Sequence, residues 1–251
     1  MGTAFVCAPH LVLTARHVVD GIFERFAGCL PHEARGQLDF GVQFSLFDAA
    51  LKKIAFDVVG YAVSPTIDVA ALAIVPEDPN TFSTWPQLAL NAEYPNVGDT
   101  VTGIGFPNTT TRVMPANEAK VAIAPTSMSG VVVDVHHEKR DGYMLTFPCF
   151  QTNAKFPSGA SGGPVVDSEG RVCGVICSSI DGCAGDDHVS YASAVWPALA
   201  LALDVPLGVD EPQKTTPYTL KSLADAGQLE VHRLDRVRVV QEHGSCRASW
   251  R

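Results

Sequence analysis

Apolar residues recur in short runs, broken by Gly, Pro and Asp, over most of residues 3–195. TAFVCAPHLVLTA carries two β-rich runs about a Pro9-His10 turn. LDFGVQFSLF (38–47) and KKIAFDVVGYAV (52–63) alternate in part between apolar and polar positions, the period of a strand. DVAALAIV (68–75) is a short apolar run with Pro65 before it and Pro76 after it, and GDTVTGIGFP (98–107) is a strand with glycines where the chain bends or packs closely. AKVAIAPTSMSGVVVDVHH (119–137) and YMLTFPCFQT (143–152) continue the series. GGPVVDSEGRVCGVICSS (162–179) predicts a hairpin turning at Asp167-Ser168-Glu169-Gly170, and HVSYASAV (188–195) a last strand. Many short strands with turn signals and few helical stretches predict an all-β antiparallel barrel or sandwich.

The pattern changes after residue 195. VWPALALAL (195–203) predicts a helix with Pro197 in its first turn, where a missing N–H costs little. DVPLGVDEPQKTTP (204–217) reads as a linker, and YTLKSLADAG (218–227) as a short helix stopped by Gly227. QLEVHRLDRVRVVQEH (228–243) alternates Leu, Val and charge, as an added strand or the start of another module.

The 251 residues are 46% hydrophobic, enough for one large core or two small ones. A formal net charge of −9 without any lysine or arginine run argues against nucleic acid as a partner. No apolar run of about 18 residues exists, so no membrane span is expected. The first residues lack a basic leader and are interrupted by Arg16 and His17, so no secretory signal is read and a cytoplasmic location is expected. Seven scattered cysteines without a Cys-x-x-Cys pair argue against structural zinc and suggest free, mostly buried thiols in a reduced compartment, with one bridge near Cys177–Cys183 as the alternative. No metal or cofactor is expected.

GASGGPV (159–165) places Ser161 among residues with little or no side chain. Such a turn is either a tight bend or a place where main-chain N–H groups approach a ligand. A serine hydroxyl becomes a useful nucleophile only with a base in hydrogen-bond reach, a group orienting that base, and donors for the oxyanion that forms. Among eight histidines, His17 ends the β-rich run of VLTARHVVDG, where it can stand at the edge of a cleft. His10 falls in a turn, His136 and His137 at a strand end beside a charged loop, and His32, His188, His232 and His243 elsewhere. Asp68 opens an apolar run, and a charge there needs a partner to offset its desolvation: an imidazole N–H or local backbone amides. Asp57, its rival, lies inside an alternating strand and faces water.

At these three places the chain resembles the chymotrypsin-fold serine proteases, especially the trypsin-like and HtrA-like bacterial branch. GTAFVCAPHLVLTARHVV resembles that family's first hairpin with its catalytic histidine, DVAALAIV its aspartate motif, and GASGGPVVDSEGRVCGV its nucleophile motif. VGDTVTGIGFP resembles the strand that opens its second barrel, and the order His, Asp, Ser suits the family. The resemblance implies two antiparallel six-stranded-type β-barrels at about 1–85 and 95–195, within a protease domain at 1–203, followed by a linker and extension at 204–251. It implies that Ser161 attacks the scissile carbonyl, His17 carries the proton, Asp68 orients the imidazole, and the N–H groups of Gly159 and Ser161 form the oxyanion hole. Each donor is then worth about 3 kcal/mol of barrier. It also implies a primary substrate pocket walled by Cys177, Ser178 and Ser179 and by residues near Val189. Lys155, six residues before the nucleophile, lies near its base and either pairs with an acidic substrate side chain or extends to solvent.

The departures are the missing disulfide about the histidine, the missing bridges near the serine, and the missing Ile-Val-Gly-Gly activation terminus. Activation by N-terminal cleavage is therefore not expected; either the chain is constitutively competent or a partner or missing domain orders the serine loop. The expected function is intracellular endopeptidase. A catalytically silent binding module and an esterase with the same triad are the alternatives. Residues 206–251 are expected to dock on the barrel or on a regulatory protein partner.

Overall fold

The computed structural model describes residues 2–26, 34–37, 43–47, 53–76, 85–107, 109–113, 119–180, 189–204, 217–242 and 245–251. Hairpin β1 (Ala4–Ala8) and β2 (Leu11–Thr14) turns at His10, whose φ of 63° is left-handed. With β3 (Ala34–Gln37), β4 (Gln43–Phe47), β5 (Lys53–Val63) and β6 (Ala70–Pro76) it forms a six-stranded antiparallel sheet in the order β1-β2-β6-β5-β3, with β4 also on β5. The unbroken apolar character of β2 and β6 has a simple cause: both of their faces are buried. Val6, Val12, Ala70, Leu72 and Ile74 point into the core of this sheet. Phe5, Leu11, Leu13 and Ala71 point the other way, into a cluster shared with the second half of the chain.

One helix departs from the sequence reading. The strand stops at Thr14, and His17 lies not at a strand end but in the first turn of α1 (Arg16–Phe26). Val19 and Phe23, four residues apart, face the core of the first sheet, and Phe23 meets Tyr61 edge-on at 4.9 Å. The Arg16–Asp20 ion pair (3.3 Å) forms one turn apart on the same helix.

The second half contains β7 (Leu90–Asn91), β8 (Thr100–Gly105), the separate hairpin β9 (Thr110–Val113) and β10 (Ala119–Ala122), β11 (Thr126–His136), β12 (Cys149–Thr152), β13 (Pro164–Val166), β14 (Val172–Ile180) and β15 (Val189–Ala194). Strands β13-β8-β11-β12-β15-β14 pair in sequence, and β13 also pairs β14, so these six close into an antiparallel barrel. Val101, Val132, Phe150, Phe156, Val165 and Ile176 fill it. The predicted hairpin at 162–179 forms as β13–β14; Asp167 accepts the Glu169 and Arg171 amides (2.9 and 3.0 Å), and Gly170 takes φ +78°. The strand expected over 143–152 is confined to Cys149–Thr152. Before it, Asp141 Oδ1 accepts the amides of Tyr143, Met144 and Leu145 and captures them as a loop. Those bonds hold the Asp141 carboxyl below its usual range.

After β15 a 3-10 turn, Trp196–Ala200, with Pro197 at its start, replaces the longer helix expected through residue 203. The chain instead extends as β16 (Ala202–Leu203), paired with β17 (Tyr218–Thr219). Helix α2 (Leu220–Asp225) is capped by Thr219 Oγ1, which accepts Ser222 N at 3.1 Å, and Gly227 beyond its end takes φ +72°. β18 (Val231–His232) joins β7 in parallel, and β19 (Val237–Glu242) and β20 (Ser245–Trp250) form a hairpin. Leu220, Leu223, Leu229 and Val237 enter the cluster of Leu11, Leu13 and Ala71 from the first sheet and Val175 from the second. These side chains thus lie within the packing of both halves. Leu220, fully buried, tests this. Leu220→Ala is expected to cost about 2–5 kcal/mol, a Tm drop of roughly 5–15 °C by thermal unfolding. An unchanged Tm would contradict the packing.

Candidate active site

The Ser161 turn is held by main-chain bonds on every side. Ala160 N–H donates to Pro157 O (3.1 Å), Gly163 N–H to Ala160 O (2.9 Å), and Gly162 N–H to Ile176 O (2.9 Å). Gly159 and Gly162 take φ +93° and +86°, values that disfavour any side chain. A Cβ on Gly162 would also overlap the Thr3 carbonyl oxygen and Thr14 Oγ1, and would stand 2.9 Å from Ala15 N. The serine turn therefore lies directly against the end of β2, two residues before His17. Gly162→Ala combines the strained φ with this overlap and is expected to destabilise the fold by about 3 kcal/mol or more, read by denaturant unfolding. Wild-type stability in that variant would refute the close approach.

His17 meets Asp68 twice. Its Nδ1 lies 2.8 Å from Asp68 Oδ2, and its main-chain N–H donates to Asp68 Oδ1 at 3.0 Å. A carboxylate accepts only, so Nδ1 carries the proton and the neutral ring keeps its lone pair on Nε2. The contact joins the first turn of α1 to the loop before β6, where Ile67 and Val69 are buried on either side of Asp68. Arg16 Nη1 adds a second tie to that loop, donating to Ser64 O at 2.7 Å. The Asp68 side chain is 12% exposed and the His17 side chain 45%, so the pair is shielded on the aspartate side and open on the imidazole side. Burial acts to lower the His17 pKa; the Asp68 hydrogen bond and charge, with the charge of Asp20, outweigh it and raise the pKa above the ordinary 6.5. This arrangement makes His17 a base oriented by a carboxylate.

Cys177 is buried at an irregularity of β14, between Ile176 and Ser178, and its thiol donates to Tyr191 O (3.3 Å). Burial foremost, then the negative charge of Asp68, raises its pKa far above the usual range and keeps it a neutral, unreactive thiol. Ser178 is half-buried and Ser179 exposed on the same strand. Val189, partly buried on the neighbouring strand, packs with Cys177, Leu145, Phe147, Cys149 and Tyr191. Lys155 is exposed between buried Ala154 and Phe156. Asp57 is exposed on β5. Cys183, the suggested partner of Cys177, lies outside the described residues with His32, His188 and His243. Cys7, Cys149, Cys173, Cys177 and Cys246 are free thiols.

Sequence reasoning missed the apolar group of Leu145, Phe147 and Tyr191, because their neighbours come from distant strands, and missed Asp20, whose spacing of three from His17 signals nothing until a helix is known there. It also passed over Thr3, which GTAFV presents as an ordinary strand residue.

The family model for the trypsin-like peptidase domain matches residues 2–175. No curated protein matches the chain. Among solved structures, the chain is similar to the Rv3671c protease of M. tuberculosis in its active form, at 22% identity over 77% of this chain and 68% of that one, with a TM-score of 0.49. Deg5 is similar at 20% identity, 77% and 78% coverage and TM-score 0.51. The MamO protease domain of Magnetospirillum magneticum is similar at 15% identity, 78% and 84% coverage and TM-score 0.51. The likeness to Deg5 and MamO is one of fold. Among the described residues no helix is long and apolar enough to cross a membrane.

Proposed function

The chain belongs to the trypsin-like peptidase domain family and is a serine endopeptidase, and from that premise we propose that Ser161, His17 and Asp68 are its catalytic triad. The observation that carries this reading is the double contact of His17 with Asp68, through Nδ1 and through the main chain, beside a glycine-bracketed serine.

Ser161 Oγ attacks the scissile carbonyl carbon while His17 Nε2 takes the hydroxyl proton. Asp68, bonded at Nδ1, stabilises the imidazolium that results. The carbonyl oxygen becomes an oxyanion and receives the N–H groups of Gly159 and Ser161. His17 then gives its proton to the leaving amine, the C–N bond breaks, and the acyl group stays on Ser161. Water enters, loses a proton to His17, attacks the ester, and the serine is released. Cys177, Ser178, Ser179 and Val189 border the substrate beside the Leu145, Phe147 and Tyr191 group, and Lys155 lies on the exposed approach to the turn. The buried free thiols support a reducing, cytoplasmic compartment.

Profiling a peptide library with the purified chain, alongside activated esters, tests this reading. Cleavage of polypeptides at a reproducible sequence supports it. Hydrolysis of esters alone would make the chain an esterase, and inertness towards both would leave a binding module.

A further inference from the structure

Thr3 uses every hydrogen-bonding group it has, and two of its bonds reach the serine turn. Its N–H donates to Ser161 O at 2.8 Å, and its hydroxyl donates to Gly159 O at 3.0 Å. The same hydroxyl accepts Phe106 N–H at 3.1 Å, and the Thr3 carbonyl accepts Thr14 Oγ1 at 2.7 Å. The residue is 3% exposed, and its bond with Thr14 is buried while those with Gly159 and Phe106 are partly buried.

The consequence follows peptide by peptide. In a trans peptide the C=O and N–H point in opposite directions, and the described residues contain no cis bond. The Gly159–Ala160 peptide is gripped at its oxygen by the Thr3 hydroxyl and at its nitrogen by Pro157 O. The Ala160–Ser161 oxygen is gripped by Gly163 N–H, which turns the Ser161 N–H the other way. The Ser161–Gly162 peptide is gripped at its oxygen by Thr3 N–H and at its nitrogen by Ile176 O. Among the described residues, the amides of Gly159 and Ser161 have no main-chain acceptor. They are the two donors the reaction needs; Thr3 grips the Gly159–Ala160 peptide that links the two peptides carrying them and the Ser161–Gly162 peptide that follows, so it restrains the chain on both sides of the Ser161 amide.

We propose that Thr3 is a positioning residue for the oxyanion-binding turn, its hydroxyl holding the Gly159–Ala160 peptide in the orientation that leaves the Gly159 and Ser161 amides free for substrate. The catalytic part of this inference rests on the proposed triad; the structural part does not. The hydroxyl is the specific element. Valine at this place has nearly the same shape, but it takes the hydroxyl donor away from Gly159 O, and reversing the Gly159–Ala160 peptide relieves that loss.

The test compares Thr3→Val, Thr3→Ser and, should the valine variant fail to fold, Thr3→Ala. In Thr3→Val we expect kcat to fall about 10–100-fold with KM changed less than about 3-fold, a peptide aldehyde inhibitor to weaken by the same factor as kcat/KM, and Thr3→Ser to recover to within about 3-fold. A crystal structure of the variant is expected to show the Gly159–Ala160 peptide turned over. A folded Thr3→Val with wild-type kcat and an unmoved turn overturns the proposal, as does a loss confined to Tm. If the wild-type chain has no turnover, the triad reading fails by itself. The crystal structure then decides the role of Thr3: a reoriented turn supports it and an unmoved turn overturns it.

Discussion

Ser161→Ala is expected to lower kcat by about 10^6-fold and to abolish labelling by a fluorophosphonate probe, with the fold unchanged. The size follows from the chemistry. In the proposed triad Ser161 Oγ is the nucleophile, so the variant has no oxygen to form the acyl-enzyme. What survives is the contribution of oriented amides and substrate binding, roughly 10^3–10^4-fold over water. The serine is also easily spared by the structure. It is partly exposed, and its carbonyl and the neighbouring Gly162 amide, rather than its side chain, make the bonds that hold the turn. Unfolding curves of the two proteins should therefore superimpose. Labelling that persists in the variant would move the nucleophile elsewhere, and the triad assignment would fall with it.

Asp68→Asn is expected to lower kcat by about 10^4-fold and to move the acid limb of kcat/KM to lower pH. Asp68 acts on His17 in two ways that asparagine cannot copy together. The carboxylate fixes the proton on Nδ1, whereas a carboxamide can donate there and leave the lone pair on the wrong nitrogen. The carboxylate also raises the His17 pKa against the opposing effect of burial. Removing its charge leaves burial acting with less opposition, so the imidazole loses its proton at lower pH. Since the base must be neutral, the limb follows it downward. A raised folded-state pKa means that protonated His17 stabilises the fold fully below about 6.5, its ordinary value, and that this contribution is lost as pH rises through the folded value. The variant should therefore lose stability chiefly on the acid side. A pH–rate profile and unfolding at several pH values measure both; an acid limb that stays in place would show that Asp68 does not govern the imidazole.

The three motifs were legible because each is a local signal: glycines about a serine, a histidine after an apolar run, an aspartate before one. The strand content of the first sheet and of the barrel was legible for a related reason, since apolar positions recur between turn residues wherever a face of a sheet is buried. Helix α1 was not. Its first residues follow directly on the β-rich run of β2, and the seating of Val19 and Phe23 on the first core is what favours a helix there. The stretch at 143–152 failed in part for the opposite reason: its apolar residues read as one strand, but one carboxylate, Asp141, takes the three amides of 143–145 and confines the ladder to Cys149–Thr152. The terminal segment showed its helix and its alternation, yet nothing in that pattern tells which partner receives Leu220 and Leu223.

From its order of residues alone, this chain specifies an all-β protein with a serine, a histidine and an aspartate in separate conspicuous settings. Periodicity and turn chemistry are properties of neighbours along the chain, so they survive without coordinates. The contact of His17 with Asp68 was decided by the pairing of β2 with β6 within the first sheet, and the wedge of Gly162 against Thr14 and Ala15 and the grip of Thr3 on the serine turn only when the two sheets packed together. Those bonds join residues far apart in sequence, and their lengths and directions depend on where each strand comes to rest.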